Sequence, residues 1–327
     1  MKTAIIDPGG GMKGAFSAGV TDAFLDAGID FDFYIGVSAG SANLASYACH
    51  QRGRTHAFYL EYAMRPEYMS LRNFIKKGSY FDFDYIFTTL TNSGGEYPLD
   101  YDAFCRSKSG FIFVGTNALT GRPVYFDRRS IRQDAYDVFK ASCSIPWLCR
   151  PRPVRNVPIV DGTLSDPLPV DKALELGAER IVVIEPSCLR EERENLSYRL
   201  SSRLLHSSKK TGWLPGISVS MEKRPKVYND SVRRLIQLEA QKKAIVISPK
   251  SKCRVTPLSR NPQELEALYQ EGYAEGLKAA KMMKMTGFLE DQPKWPAFFS
   301  VPFQASDQGN AQILKESCAD QSCPGSD

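Results

Sequence analysis

Short apolar runs and longer stretches of helical period alternate along the 327 residues. Thr3–Asp7, Phe33–Val37, Phe111–Asn117, Val157–Val160, Ile181–Glu185 and Ala244–Ser248 are runs of β-branched, aromatic and aliphatic side chains bounded by turn residues, the pattern of buried strands. Between them, Phe16, Val20, Ala23, Phe24 and Ala27 mark one face of a helix that stops at Gly28, and small residues from Ser41 to about Gln51 form a second. Further helices are predicted over Ser130–Ser142 (through Ile131, Ala135, Val138 and Phe139, closed by Pro146), Pro169–Gly177, Val227–Lys243 and Pro262–Lys284. A turn at Leu119–Pro123 folds Val124–Phe126 back as a hairpin. Strands alternating with helices predict an α/β fold with a mainly parallel central sheet and helices on its faces.

The stretch 55–105 breaks this rhythm. Phe58, Tyr59, Tyr62, Tyr68, Phe74, Tyr80, Phe81, Phe83, Tyr85 and Phe87 crowd into it, a density that fits either an apolar cap shaped for an acyl chain or the packing of a helical insert. After Gly287, Trp295, Phe298, Phe299 and Phe303 sit among prolines, and a polar end without period is expected to be disordered. We expect one domain over 1–287, with 55–105 as an insert, and a tail over 288–327.

Composition narrows the partners. A hydrophobic content of 43% is ample for a core, and a net charge of +5 is too small to argue for nucleic acid, though compatible with an anionic membrane surface. The segment 199–226 carries Arg199, Arg203, Lys209, Lys210, Lys223, Arg224 and Lys226 against Glu222 alone, with Leu200, Leu204, Leu205 and Trp213 interleaved. It fits either peripheral contact with a membrane or a solvated helix face. No apolar run of about 18 residues exists to span a bilayer, and the stretch before the first glycines is too short for a signal peptide, so a cytoplasmic protein is expected. The eight cysteines lack metal-type spacing and read as free thiols.

The candidate chemistry starts at Gly36-Val37-Ser38-Ala39-Gly40, a Gly-x-Ser-x-Gly between an apolar strand and a helix. Such an elbow holds one serine clear of the sheet, because the flanking glycines accept close approaches that a Cβ forbids. One strand earlier, Pro8-Gly9-Gly10-Gly11-Met12-Lys13-Gly14 opens a helix, where free backbone amides and the helix dipole suit either a phosphate or a developing oxyanion. Gly9, Gly11 and Gly14 also satisfy the letter of the dinucleotide fingerprint, but the second strand ends in Gly36-Val37-Ser38 and not in the acid that would hold a ribose. Asp161-Gly162-Thr163 follows an apolar strand and offers a carboxylate. A histidine base in the order Ser, Asp, His leaves only His206 after Asp161, and only one strand precedes the elbow strand, where the α/β-hydrolase fold builds several.

Taken together, the blocks Gly9–Gly14, Gly36–Gly40, Ala141-Ser142-Cys143-Ser144-Ile145-Pro146 and Asp161-Gly162 resemble the patatin-like phospholipase family, from Ile5 to about Met285. The resemblance implies a three-layer α/β/α fold, hydrolysis of lipid acyl esters, and a Ser–Asp dyad without histidine, cofactor or metal. It makes Ser38 the nucleophile, Asp161 the base, and the amides of Gly9, Gly10, Gly11 and Met12 the oxyanion donors, with Lys13, Gly14, Gly36, Gly40 and Gly162 as supporting motif positions. Two residues depart from the family pattern. Thr163 stands where glycine or alanine is preferred, and Lys13 where arginine is, which keeps the charge but loses the planar fork. A catalytically silent lipid-binding module, or a dinucleotide-binding protein, are the alternative readings.

Overall fold

The computed structural model describes residues 1–187, 214–250 and 254–289. Its eight strands form one sheet: β1 (Thr3–Asp7), β2 (Phe33–Val37), β3 (Gly110–Asn117), β4 (Pro123–Asp127), β5 (Arg152–Val154), β6 (Val157–Asp161), β7 (Arg180–Ile184) and β8 (Ala244–Ile247). They follow the order β5-β6-β3-β2-β1-β7-β8, with β4 also on β3. From β3 to β8 the path is parallel, while β4, β5 and β6 pair antiparallel. The helices are α1 (Gly14–Asp26), α2 (Ala39–Ala48), α3 (Arg54–Leu60), α4 (Leu71–Lys77), α5 (Tyr101–Arg106), α6 (Asp137–Ser142), α7 (Val170–Glu175), α8 (Pro215–Ala240) and α9 (Pro262–Met285).

The period of two along each strand divides the interior into two cores. Ile5, Tyr34, Phe111, Phe113, Val182 and Ile184 face one, which they share with Phe16, Val20 and Phe24 of α1, Leu44 of α2, Leu265 and Leu268 of α9 and the aromatic insert. Ile6, Ile35, Val37, Ile112, Val114, Ile181 and Val183 face the other, packed against Val170 and Ala173 of α7 and Val232, Leu235 and Leu238 of α8. The result is the expected α/β/α layering.

The pairing of β3 sets up everything that follows. β4 occupies one edge of β3 over Ile112–Thr116. Its other edge holds β2 as far as Val37 opposite Val114, and then β6, whose last residue Asp161 stands opposite Gly115. β2 and β6 therefore run toward each other along one edge, and their C-terminal ends meet.

Two helices differ from the sequence expectation. The helix expected from Ser130 begins only at Asp137, because Asp134 takes a left-handed backbone (φ 61) and its carboxylate accepts the Ser93 amide and hydroxyl at 2.7 Å each. Ile131, Val138 and Phe139 are still buried, whereas Ala135 is exposed. The helix expected from Val227 starts twelve residues earlier at Pro215, a residue suited to a first turn, and runs through Pro225 to Ala240. Among the described residues, no helix is long and apolar enough to cross a membrane.

Candidate active site

Ser38 follows β2 directly and caps α2 with φ 53 and ψ −132, a strained backbone that exposes its hydroxyl to the strand ends. Its Oγ donates to Asp161 Oδ2 at 2.7 Å. The contact is a direct result of the shared edge of β3, where the residue after Val37 meets the last residue of β6. The other carboxylate oxygen, Oδ1, accepts the Thr163 amide at 2.8 Å, and the Asp161 amide donates to Ser144 O at 3.0 Å. Asp161 is fully buried, and burial raises its pKa above the usual carboxylate range. The Ser38 hydroxyl, both donors of Thr163 and the positive charge of Arg224 oppose that rise. The hydroxyl of Thr163, the departure noted in the sequence, thus supports the carboxylate.

Two residues join this site without having been given a role from sequence. Ser142 Oγ donates to Val114 O at 2.7 Å and accepts the Ser38 amide at 3.0 Å, so it fastens the elbow to β3. It lay within the Ala141–Pro146 block, and nothing local says that its hydroxyl faces Ser38. Arg224 of α8 donates through Nε to Thr163 O at 2.8 Å. The sequence counted it only as one charge of the basic segment 199–226. The described part of that segment begins at residue 214, and Lys223 and Lys226 are exposed there.

The glycine loop packs against the elbow. An added methyl at Gly9 (φ 76) would lie 2.4 Å from Val37 O, and one at Gly40 would lie 2.1 Å from Asp7 O, so the two backbones touch where any side chain would part them. Of the four amides expected as oxyanion donors, two are engaged elsewhere. Gly9 donates to Asp7 Oδ1 at 2.9 Å and Met12 to Pro257 O at 3.1 Å. The amides of Gly10 and Gly11 have no acceptor among the described residues. Gly11 lines the same cleft as Ser38.

Asp7 is the anchor of this loop. Besides Gly9 it accepts Asn43 Nδ2 at 2.9 Å, and Asn43 Oδ1 in turn accepts the Tyr59 hydroxyl at 3.0 Å. Burial raises the Asp7 pKa to about 6 against these hydrogen bonds. Lys13 does not line the cleft, and its Nζ donates to Ser187 Oγ at 3.2 Å. Gly14 begins α1, Gly36 lies in β2, and Gly162 opens the 3-10 turn after Asp161.

Ser38 opens on a cleft walled by Met12, Ala42 and Ala45 and by Phe58, Tyr59, Tyr68, Phe81, Phe83 and Phe87 of the insert. The aromatic insert thus both packs into the core and lines the space next to the serine. Cys143 lies beside Ser38, but burial pushes its thiol pKa well up, so it stays protonated and inert. Cys49 and Cys149 are likewise free and buried, and Cys105 is free and exposed. His50 and His56 do not line the cleft, and His56 Nε2 is within 2.9 Å of Glu266. His206, the start of the basic segment (199–213), Cys188, Cys253 and the tail from residue 290 lie outside the described residues.

Comparison with known proteins agrees with this layout. The profile of the patatin-like phospholipase family matches residues 8–174, and that of a domain of unknown function matches residues 214–285. The latter region holds α8, β8 and α9, so β8 extends the same sheet beyond β7 and α9 lies along α1. Over 188 residues the chain is 31% identical to the uncharacterized protein YjjU of Escherichia coli (strain K12), covering 56% of this chain and 51% of that one. The chain thus spans about half the length of that relative. VipD from Legionella pneumophila aligns in its crystal structure with a TM-score of 0.43 and 14% identity, over 86% of this chain and 67% of that one.

Proposed function

Because the chain belongs to the patatin-like phospholipase family, we propose that it hydrolyses lipid acyl esters, with Ser38 as nucleophile and Asp161 as its base. The observation that carries this reading is the 2.7 Å hydrogen bond from Ser38 Oγ to the buried Asp161, at the mouth of an apolar cleft.

An ester enters with its acyl chain among the aromatic side chains and its carbonyl carbon over Ser38 Oγ. Asp161 takes the hydroxyl proton as the oxygen attacks. An aspartate of ordinary pKa near ~3.9 is a feeble base at neutral pH, so the upward displacement caused by burial improves the transfer. The carbonyl oxygen becomes an oxyanion and is met by the Gly10 and Gly11 amides, each good donor supplying about 3 kcal/mol of transition-state stabilisation. Collapse expels the alcohol, which takes the proton back from Asp161. Water then repeats the sequence on the acyl-enzyme, and Ser38 is regenerated.

Purified protein is expected to hydrolyse para-nitrophenyl esters and phospholipid and to label with a fluorophosphonate at Ser38. Ser38→Ala abolishes both, and Asp161→Asn lowers turnover by about 10²–10⁴-fold, the range for a lost general base. Undiminished hydrolysis by either variant refutes the dyad, and loss of turnover in His206→Ala alone makes a histidine the base instead. Binding of lipid without Ser38 labelling makes the protein a silent lipid-binding module.

A further inference from the structure

The cleft beside Ser38 is apolar along most of its wall, but one part of it is not. Arg54, the first residue of α3, lines the cleft and is buried. Its Nη1 donates to Ser46 Oγ at 2.9 Å, its Nη2 to Thr91 Oγ1 at 3.0 Å and Tyr97 O at 3.1 Å, and its Nε to Tyr97 O at 3.2 Å and Pro98 O at 3.3 Å. These acceptors are all neutral, and they leave one Nη1 hydrogen without an acceptor among the described residues. Nor does any carboxylate of the described residues pair with it. Its guanidinium lies over the Phe58 ring, 4.4 Å from the centroid, and near the Tyr97 ring at 5.8 Å, and burial lowers its pKa only to about 10, so it remains a cation at neutral pH, held by neutral groups alone.

A buried cation with no anion is unfavourable unless a counter-charge arrives with a ligand. The cleft that Arg54 lines offers such a ligand a route. Ser46, which receives the guanidinium, stands eight residues beyond Ser38 on α2, or about 12 Å along the axis at 1.5 Å per residue. An extended chain of roughly nine carbon–carbon bonds of about 1.52 Å, in staggered zigzag, covers that distance.

We propose that the cleft selects acyl chains that end in a carboxylate, and that Arg54 is the residue that recognises this distal end. The proposal rests on the reading of Ser38 as an acyl-ester nucleophile, and it names the substrate class of that same site: half-esters of straight-chain dicarboxylic acids, with the ester at Ser38 and the free acid at Arg54. The aromatic wall contacts the methylenes between them.

The test compares the mono(para-nitrophenyl) ester of decanedioic acid with para-nitrophenyl decanoate. Wild-type protein is expected to favour the acid-ended ester by about tenfold or more in kcat/KM, the scale of a hydrogen bond to a charged group. In Arg54→Met the ratio falls to one or below, and Arg54→Lys, which keeps the charge but not the fork, retains part of it. A ratio taken within one preparation does not depend on how much of that variant folds. Separately, Ser38→Ala protein is melted with monomethyl decanedioate or methyl decanoate, and the first is expected to raise the melting temperature more. A wild-type ratio at or below one, a ratio that Arg54→Met leaves intact, or equal shifts on Ser38→Ala overturns the proposal. If neither ester is turned over, Ser38 is not the nucleophile, and the melting comparison alone decides the role of Arg54.

Discussion

Replacing Gly9 with alanine tests how far the proposed catalysis depends on the contact between the glycine loop and the elbow. Two costs are combined there. A left-handed backbone at φ 76 disfavours any L side chain by roughly 1–2 kcal/mol. The new methyl would also stand 2.4 Å from Val37 O, 3.0 Å from Gly40 N and 3.1 Å from Ala39 N, where ordinary contact begins at 3.4 Å. All three atoms are backbone, so loop and elbow must separate by about 1 Å. A displacement of about 1 Å between oxyanion donors and nucleophile costs about 10²-fold in rate. Gly28 supplies the control, since it has φ 62 with nothing within 4 Å and shares the backbone strain without the collision. Urea melts should therefore show a loss of about 1–2 kcal/mol in Gly28→Ala and more in Gly9→Ala. Only Gly9→Ala should lose about 10²-fold in kcat/KM on para-nitrophenyl butyrate and in the rate of fluorophosphonate labelling. Equal activity of the two folded variants would falsify the claim that this contact sets the geometry.

Three further outcomes follow from the buried charges. Asp7 has a folded pKa of about 6 against an ordinary 3.8, so the folded state holds its proton longer and loses stability as pH rises between the two values. Relative to wild type, Asp7→Asn should gain about 2 kcal/mol between pH 4 and pH 7 in denaturant melts, at 1.36 kcal/mol per unit; a pH-independent difference refutes the assignment. Asp161→Asn can still accept the Thr163 amide through its oxygen and donate through Nδ2 to Ser38 Oγ, whose own hydrogen then turns to the cleft, so it removes a buried charge and re-aims one donor. Its melting temperature should exceed that of wild type at pH 8 while activity is lost, and a fall instead means that the carboxylate stabilises the fold. Arg224→Gln removes a positive charge that favours the ionised Asp161, so the acid limb of kcat/KM should move to higher pH, and an unmoved limb excludes Arg224 from that role.

What was legible in the sequence was local. The elbow declares itself because strand, turn serine and small-residue helix are contiguous, and the glycine loop does so for the same reason. The strand that ends in Asp161 could also be read, but its antiparallel course and its end-on meeting with β2 could not, because they follow from which edge of β3 is already occupied by β4. Ser142 and Arg224 reach the site across long sequence separations, and no periodicity marks the direction of a single hydroxyl or guanidinium. The amides of Gly9 and Met12 looked as free as those of Gly10 and Gly11 until Asp7 and Pro257 were placed beside them. Helical spacing from Ser130 was real as burial and misleading as structure, since Asp134 breaks the helix yet leaves Ile131, Val138 and Phe139 inside.

If Ser38 and Asp161 act as proposed, the meeting of β2 and β6 along one edge of β3 also governs when the chain can acquire its activity. Nucleophile and base are separated by 123 positions, and no hairpin or single supersecondary unit contains both. A ribosome releases the N-terminal end first, so Ser38 emerges and can complete its strand–turn–helix long before Asp161 is synthesised. Closing such a distant pairing is a slow, late event in folding. A nascent or truncated chain that stops short of β6 has the elbow but lacks Asp161, the proposed base. On that reading, hydrolysis would be tied to a finished sheet, a safeguard that lies in the topology itself.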